Sequence, residues 1–389
     1  MTRAVASLFK FSLPKNLKIK VWVLAPAIES KDEHIDYYYD FTQSIAEYTA
    51  VFKTLNILWE WKEINMNNFK AVINEIESDR DTFFPVALNL CDGDEINGAP
   101  GLSVIKYLEE KEIIYTGSDE FFYNITTSKI PMKKAFDMAG VANAEWTFFR
   151  SKGDFNAEEL LNKTGTPVII KPAVSGGSMG VGIKNVVDNK EELTILVDSL
   201  LDGYRGWNLN ADGIIAERFI AGPEFTVFIS GSYDRPNDAV IYTPVERVFH
   251  QSLPDKEKFL SFDRLWEIYE TESPMPEDEN FYEYQLPDPS LIDSIKQLSW
   301  EAYVATKGMG YTRVDIRMDL VTNKLYVLEV NAQCGISEDE NFTSIGAILK
   351  FSGRTFSQLI EEILNDAIKR GYSKIISHVN NNKKKAIRS

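Results

Sequence analysis

The sequence predicts a mixed α/β (α+β) protein built from three units. Strand-like and helix-like segments alternate along the chain, a glycine-rich loop follows a buried strand, and acidic residues interrupt two neighbouring strands near the C-terminus. The chain has 389 residues, enough for two to three domains and a large core. Its composition, 44% hydrophobic and 26% charged, is typical of a folded globular protein.

Charge and cysteine content argue against several functions. The net charge of −16 opposes sequence-independent binding of nucleic acid. No apolar run reaches the roughly 18 residues that a membrane span needs. Cys91 and Cys334 are too few for a disulfide framework, and the three histidines share no ligand spacing, which argues against a zinc enzyme. A reducing cytoplasm is the expected compartment.

The first unit is predicted over residues 18–125, after an N-terminal arm of residues 1–17. The arm contains three basic residues and no acid, and a transit-like leader is the alternative interpretation. Alternating buried strands and helical stretches favour a parallel sheet in this unit. The predicted elements are a strand at Lys18–Ala25, a helical stretch at Ile35–Leu55, a strand at Phe84–Leu90, a helix at Ser103–Lys111 and a short strand at Ile113–Thr116.

A central unit is predicted over 126–221 and a C-terminal unit over 222–375, followed by a loose basic tail at 376–389. The stretch at about 252–289 is rich in acids, prolines and aromatics, and we predict that it is a lid-like loop. The other predicted elements are a helix closing at Gly140, strands at Pro167–Lys171 and Gly213–Glu217, a capping box at Asp188–Glu191, a half-buried strand at Glu224–Ser230, a helix at Pro289–Thr306, strands at Arg313–Asp319 and Leu325–Val330, and an amphipathic helix at Ser357–Arg370.

A glycine-rich loop follows the strand that ends at Lys171. Its glycines allow backbone amides to approach an anion and to form a concave nest for phosphate oxygens. Lys171 adds a positive charge beside that nest. The pattern is not the Walker loop, which places Gly-Lys-Ser/Thr at a helix start. A plain glycine-rich hairpin is the alternative.

Two further stretches carry acids at strand ends. Glu217 can accept a hydrogen bond from the exocyclic amine of adenine, and Glu224 is spaced to hold ribose hydroxyls; acids flanking a surface strand are the alternative. Asp315, Glu329 and Asn331 are predicted on facing positions of adjacent strands, where their hard oxygens suit magnesium bound with phosphates. Charges on buried strands are costly unless they bind something, and a structural ion pair with Arg313 is the alternative here.

In this order, the stretches VIIKPAVSGGSMGVG, ERFIAGPEFTV and TRVDIRMDL…YVLEVNAQCG resemble the ATP-grasp superfamily, and within it the D-alanine–D-alanine ligases. A weaker match is Tyr115–Ser118 followed by Ser128-Lys129. The resemblance extends over about residues 84–367. It implies an ATP-grasp fold of three domains, with ATP held between the central and C-terminal domains.

The resemblance also implies a role for each matched residue. Phosphates would be bound by Lys129 and Lys171 under a loop containing Gly176, Gly177, Ser178 and Gly180. Adenosine would be held by Glu217, Phe219, Ile220 and Glu224, and two Mg²⁺ ions, for which Mn²⁺ can substitute, by Asp315, Glu329 and Asn331. Arg313 would neutralise charge at the transferring phosphoryl group, and the Gly335 amide would face the reacting carboxylate.

The substrate positions depart from the family pattern. The first strand lacks the family's glycine-serine-acid motif, and Glu29 or Glu33-His34 are poorly spaced replacements. Asn89 stands where the family has histidine, and Glu340 where the family has the serine that holds the acceptor's carboxylate. Leu265-Trp266 replaces a Lys-Tyr pair, which leaves Arg247 or Arg264 to supply the missing positive charge.

These features predict an ATP- and Mg²⁺-dependent carboxylate–amine ligase that joins small metabolites, an amino acid among them, through an acyl phosphate. The alternatives are a divergent D-alanine–D-alanine ligase, a catalytically silent nucleotide-binding protein and a protein-modifying ligase of glutamylase type. Because Glu340 would repel a free carboxylate, the expected acceptor differs from D-alanine. The expected partners are small acid and amine substrates, and a homodimer is a family expectation only.

Overall fold

The structure is a computed structural model that describes residues 17–29, 32, 34–201, 206–269, 271–276, 279–339 and 343–386. Only the backbone is described for residues 36, 37 and 373–386. In this part of the chain the strands form three sheets, each accompanied by helices. The predicted mixed α/β class is confirmed.

The N-terminal sheet is parallel and has the strand order β2-β1-β3-β4. Its strands are β1 (Lys18–Pro26), β2 (Leu58–Ile64), β3 (Phe83–Asn89) and β4 (Ile114–Tyr115), and its helices are α1 (Ile35–Tyr38), α2 (Thr42–Leu55), α3 (Phe69–Ser78) and α4 (Leu102–Glu110). Sequence analysis missed β2 and α3 and merged α1 with α2. The strand β2 escaped because it lies at the sheet edge, where half-buried aromatics alternate with charges.

The central sheet is antiparallel and has the strand order β5-β8-β6-β7. Its strands are β5 (Trp146–Phe149), β6 (Val168–Pro172), β7 (Val186–Val187) and β8 (Ile214–Arg218), and the helices of this region are α5 (Glu120–Thr127), α6 (Lys129–Ala139), α7 (Ala157–Thr164) and α8 (Lys190–Leu201). As predicted, α6 closes at Gly140, which has a φ of +71°. The capping box lies one residue later than predicted, because Asn189 accepts from the Glu192 amide and Glu192 reaches back to the Asp188 amide.

The C-terminal sheet has six strands, with the order β12-β11-β9-β13-β14 and β10 paired to β9. Its strands are β9 (Glu224–Ser230), β10 (Val240–Ile241), β11 (Val245–Phe249), β12 (Tyr282–Gln285), β13 (Tyr311–Met318) and β14 (Leu325–Ala332), and its helices are α9 (Phe262–Trp266), α10 (Ile292–Ala305), α11 (Ser344–Ser352) and α12 (Phe356–Ala386). The prediction of a half-buried β9 is wrong. The strand is buried along its length, since Phe225, Val227 and Ile229 pack in one core cluster and Phe228 packs in another.

The predicted lid and the predicted tail both contain more regular structure than expected. The predicted lid at 252–289 is not uniformly irregular, because it contains α9 and β12. The predicted loose tail is helical as far as Ala386, as the continuation of α12. The N-terminal arm, apart from residue 17, lies outside the described residues. No described helix is both long enough and apolar enough to cross a membrane.

Candidate active site

Two acids face each other on neighbouring strands of the C-terminal sheet. Asp315 of β13 is the register partner of Glu329 of β14, which confirms the predicted facing positions. Arg313 donates from Nε to both Asp315 oxygens at 3.1 Å and from Nη2 at 2.9 Å. The Asn331 amide bridges the acids, with Nδ2 3.0 Å from Asp315 Oδ2 and 3.3 Å from Glu329 Oε1. The ion pair that sequence analysis kept as an alternative is therefore present within the candidate metal site.

The two carboxylates differ in their electrostatic surroundings. Burial raises the pKa of Asp315 against the effect of Arg313, and the charge of Glu329 raises it further. Burial also acts to raise the pKa of Glu329, but Lys129, Arg313 and Lys171 together hold it below its usual value. No group of three His, Cys, Asp or Glu side chains suited to a metal occurs in the described part of the chain. The candidate set is therefore two carboxylates and the Asn331 amide, which here presents Nδ2 to the acids. With the amide oxygen turned towards the ion, the set offers the hard oxygens that magnesium prefers when phosphates supply further ligands.

Three lysines converge on the end of the central sheet. Lys129 and Lys133 lie four residues apart on α6, and Lys171 lies near the end of β6. Glu217 of β8 pairs with two of them, since its Oε2 is 2.6 Å from Lys133 Nζ and its Oε1 is 3.0 Å from Lys171 Nζ. Lys129 Nζ lies 3.8 Å from Glu329 Oε2, so the lysine group adjoins the acid pair. Sequence analysis missed Lys133, although its spacing from Lys129 places both on one helix face.

The lysine group keeps Glu217 ionised. Burial by itself would raise the pKa of Glu217, but Lys133 and Lys171 outweigh that effect and lower the pKa to about 2. Burial lowers the pKa of Lys129 and Lys133, with Glu329 and Glu217 opposing the change. Three cations against two acids make this end of the sheet a suitable place for polyphosphate.

Glu224, predicted to hold ribose, is enclosed by two arginines. Arg317 contacts Glu224 Oε2 from Nε at 3.1 Å and from Nη2 at 2.8 Å, and Arg247 pairs with Oε1. Arg317 also lies over the Phe219 ring at 5.3 Å and donates to the Ile220 carbonyl at 3.0 Å. The four predicted adenosine-site residues thus come from one continuous segment, which runs from Glu217 on β8 to Glu224 on β9. Arg317 was missed, although Arg313, Asp315 and Arg317 share one face of β13 by their spacing of two.

The glycine-rich loop is held against the predicted lid. Trp266 Nε1 donates to the Gly177 carbonyl at 2.9 Å, and Ser178 Oγ donates to the Leu260 carbonyl at 2.9 Å. Gly177 and Gly180 have φ values of +53° and +75°, a region that favours glycine. A Cβ at Gly177 would lie 2.9 Å from the Trp266 ring, whereas one at Gly176 would meet nothing within 4 Å.

The arginines considered as replacements for the family's Lys-Tyr pair already have partners. Arg264 is buried, with Nε 3.0 Å from Glu272 Oε2 and Nη2 3.2 Å from Glu257 Oε2. Arg247 is shared between Glu224 and the Tyr284 hydroxyl, which lies 3.0 Å from its Nη2. The structure therefore places both guanidiniums in ion pairs around the lid and ribose regions, and not as free cations.

Asn89, one of the predicted substrate residues, lies where the N-terminal and C-terminal sheets meet. Asn89 is fully buried; its backbone carbonyl accepts from Gln333, and its Oδ1 accepts from the Cys91 amide at 3.2 Å. Gln333 also accepts from the Ser118 amide at 2.9 Å, so it ties the two sheets together. A Cβ at Gly335 would meet nothing within 4 Å. Glu340 and Glu33 lie outside the described residues.

A buried acid that sequence analysis missed lies close to this segment. Glu47 of α2 is only 6% exposed, and its Oε1 accepts from Ser337 Oγ at 2.7 Å and from Gln43 Nε2 at 3.0 Å. Its Oε2 is buried without a hydrogen-bond partner in the described part of the chain. Burial raises the pKa of Glu338, and Glu47 adds to that rise. No motif flags Glu47, because its contact with residue 337 is set by tertiary packing.

Comparisons with known proteins match this chain to one enzyme family. The family model for the D-ala D-ala ligase C-terminus matches residues 135–365, more than half of the chain. The D-alanine–D-alanine ligase of Acetivibrio thermocellus is 27% identical over 339 residues, 85% of this chain and 78% of its own. That of Trichlorobacter lovleyi is 29% identical over 267 residues, 68% of this chain and 73% of its own.

Solved structures show the same fold. The D-alanine–D-alanine ligase from Bacillus anthracis, solved alone and complexed with ATP, superposes with a TM-score of 0.64 at 19% identity, covering 92% of this chain and 100% of its own. The Coxiella burnetii enzyme gives 0.63 at 15% identity, covering 93% and 99%. Fold and family match define a ligase of the ATP-grasp class, as predicted. The chain belongs to the family defined by the D-alanine–D-alanine ligase C-terminus.

Proposed function

We propose that this protein is an ATP- and Mg²⁺-dependent carboxylate–amine ligase that forms an amide bond between small metabolites, with an amino acid among them. The observation that carries the proposal is the contact between the lysine group and the acid pair, where Lys129 Nζ lies 3.8 Å from Glu329 Oε2. Phosphate-binding cations and metal-binding oxygens at one junction are what ATP with its metal requires.

Within this proposal the nucleotide lies between the central and C-terminal sheets. Lys129 and Lys171 bind its phosphates, and the loop at Gly176–Gly180 covers them. Glu217, Phe219 and Ile220 hold the base. Glu224 reaches the ribose only if its arginine contacts leave an acceptor lone pair free, which a carboxylate with four lone-pair sites permits.

Asp315, Glu329 and Asn331 would hold Mg²⁺, two ions by family expectation. Bound magnesium supplies charge neutralisation for the phosphates. The residues themselves fit this role, because a cation would relieve the repulsion by which Glu329 raises the pKa of the buried Asp315. Arg313 lies beside the acids and stabilises negative charge that develops on the phosphoryl group.

The chain's own groups then organise the amide-bond chemistry. A carboxylate is a poor acyl donor, so its oxygen first takes the γ-phosphoryl group of ATP and ADP leaves. The acceptor's amine next attacks the acyl carbon, inorganic phosphate leaves, and the amine loses a proton. An acyl phosphate hydrolyses in open water, and the lid held against the glycine-rich loop by Trp266 would exclude that water. Gly335 is exposed, and by family expectation its amide would face the reacting carboxylate.

The acceptor is the point where this protein and its relatives are expected to differ. The curated relatives are D-alanine–D-alanine ligases, and a divergent enzyme of that specificity is the second candidate. Glu47, Glu338 and Asp339 instead place acids at the segment after Gly335. We therefore favour an acceptor that presents a cationic or hydroxyl group there. A homodimer in a reducing compartment completes the proposal, on family grounds and on the two buried free cysteines.

The decisive experiment is ATP hydrolysis measured against amino acids, singly and in pairs. The proposal expects phosphate release that depends on Mg²⁺ and on an acid–amine pair, with a ligated product detected by mass spectrometry. Efficient formation of D-alanyl-D-alanine would replace the favoured acceptor by the second candidate. Nucleotide binding without turnover on any pair would support the silent binding protein.

A further inference from the structure

Lys133 is the most deeply buried of the three lysines. Its side chain is 0% exposed, while that of Lys171 is 15% exposed. Each lysine holds a different oxygen of Glu217, at 2.6 Å and 3.0 Å respectively. An incoming phosphate can therefore reach Lys171 but not Lys133.

We infer that Lys133 is a positioning residue for base recognition and that Lys171 exchanges partners when nucleotide binds. This inference rests on the proposed function. The phosphates attract the Lys171 ammonium away from Glu217 Oε1, while Lys133 keeps Oε2 fixed. Glu217 Oε1 accepts no hydrogen bond in the described part of the chain, and it then loses its ion-pair partner as well, so this buried oxygen needs a donor to satisfy it.

Adenine meets that need and guanine does not. The exocyclic amine of adenine is a donor, whereas guanine places a carbonyl acceptor at the corresponding position. A carbonyl facing an ionised carboxylate leaves two buried acceptors without a proton between them. The pKa of Glu217, about 2, keeps it ionised at neutral pH, so it does not supply that proton.

The exchange makes base selection depend on the phosphates. In the absence of phosphates, Lys171 remains on Oε1 and competes with the base for it. Adenosine and guanosine should therefore bind with similar affinity, whereas ADP should bind much more tightly than GDP.

The first test measures the affinity of the wild-type protein for ADP, GDP, adenosine and guanosine by calorimetry. Ligands that bind weakly are measured by displacement. We expect an ADP preference over GDP of at least tenfold and an adenosine preference over guanosine of less than threefold. An equally large preference for both pairs would overturn the exchange. Failure to bind any nucleotide would instead count against the proposed function.

The second test compares Lys133→Met and Lys133→Gln with Lys134→Met, which removes an exposed lysine from the same helix. Lys133→Met should reduce the ADP/GDP ratio at least tenfold, because Glu217 loses its fixed partner. Lys133→Gln retains one donor and should keep more of the ratio, and Lys134→Met should keep all of it. A purely structural Lys133 would lower the melting temperature without changing the ratio, which would overturn its positioning role. If Lys133→Met does not fold, the ADP/GDP ratio of Lys133→Gln and the wild-type measurements still decide whether Lys133 positions Glu217.

Discussion

The proposed nucleotide end and the proposed acceptor end of this site are built in different ways. At the nucleotide end, charged side chains come from neighbouring strands and one helix, and short motifs fix their spacing. At the proposed acceptor end, Glu47 contacts Ser337 and Asn89 contacts Gln333. Both contacts join distant parts of the chain and depend on the packing of the N-terminal sheet and its helices against the C-terminal sheet. The difference suggests that the chemistry is tied to local strand geometry, while substrate choice can change with the interface.

Substitutions in the acid pair should have the largest effect on the proposed nucleotide end. Asp315→Asn or Glu329→Gln should lower turnover about 10²-fold or more, because each removes one charge from the proposed metal site with little change in volume. Turnover and thermal unfolding should be measured together. Asp319→Asn, in the turn that joins β13 to β14, is the control; it removes a carboxylate paired with Arg218 and should retain turnover. Near-normal turnover of the acid-pair variants would contradict the metal assignment.

Loss of Lys171, the proposed phosphate-binding lysine, should have the next largest effect. Lys171→Ala should raise the KM for ATP about tenfold, since a charge-assisted hydrogen bond contributes roughly 1.5–3 kcal/mol and part of it is replaced by Lys129. Initial rates at varied ATP concentration measure this KM. The exposed Lys184 provides a matched control in Lys184→Ala. Unchanged ATP binding by Lys171→Ala would reassign that lysine to a structural role.

Glu47 tests whether the acceptor end is an independent module. Glu47→Gln should raise the KM for the acceptor a few-fold and leave the KM for ATP unchanged, because the charge lies beside residues 337–339 and not beside the lysine group. The exposed Glu110 of α4 offers the control Glu110→Gln. Equal changes in both KM values would mean that the two ends are not separable. Glu340→Ser, which restores the family residue, should shift the acceptor profile towards D-alanine; no shift would favour the divergent D-alanine ligase.

The lid contact should have the smallest effect. Trp266→Phe removes the hydrogen bond to the Gly177 carbonyl and keeps most of the ring, so turnover should fall only two- to three-fold. Limited proteolysis within residues 252–289 should slow when ATP and substrates are added. Equal cleavage with and without ligands would argue against a lid.

Sequence reasoning predicted which residues lie together at the proposed nucleotide end, because its signals are local. A spacing of two along β13 and β14 places Asp315 and Glu329 on facing positions, and the glycine-rich loop directly follows β6. Lys133 and Arg317 were within reach of the same periodicity arguments and were overlooked.

The acceptor end was not predictable by these means. Glu47 and Ser337 are 290 positions apart, and their hydrogen bond is set by the packing of α2 against the segment after β14. Arg264 shows the opposite error. Its charge was visible in the sequence, but its burial against Glu272 and Glu257 was not.

Trp266 also touches a third part of the chain. Its ring centroid lies 4.9 Å from that of Tyr38 in α1, and Trp207 nearby donates to Asp32 at 2.9 Å. The N-terminal segment, the lid and the glycine-rich loop therefore share one aromatic junction, so any opening of the lid must change the surroundings of an indole. The protein thus carries an intrinsic fluorescent probe, and the rate of its emission change on mixing with nucleotide would time the opening and closing of the site directly.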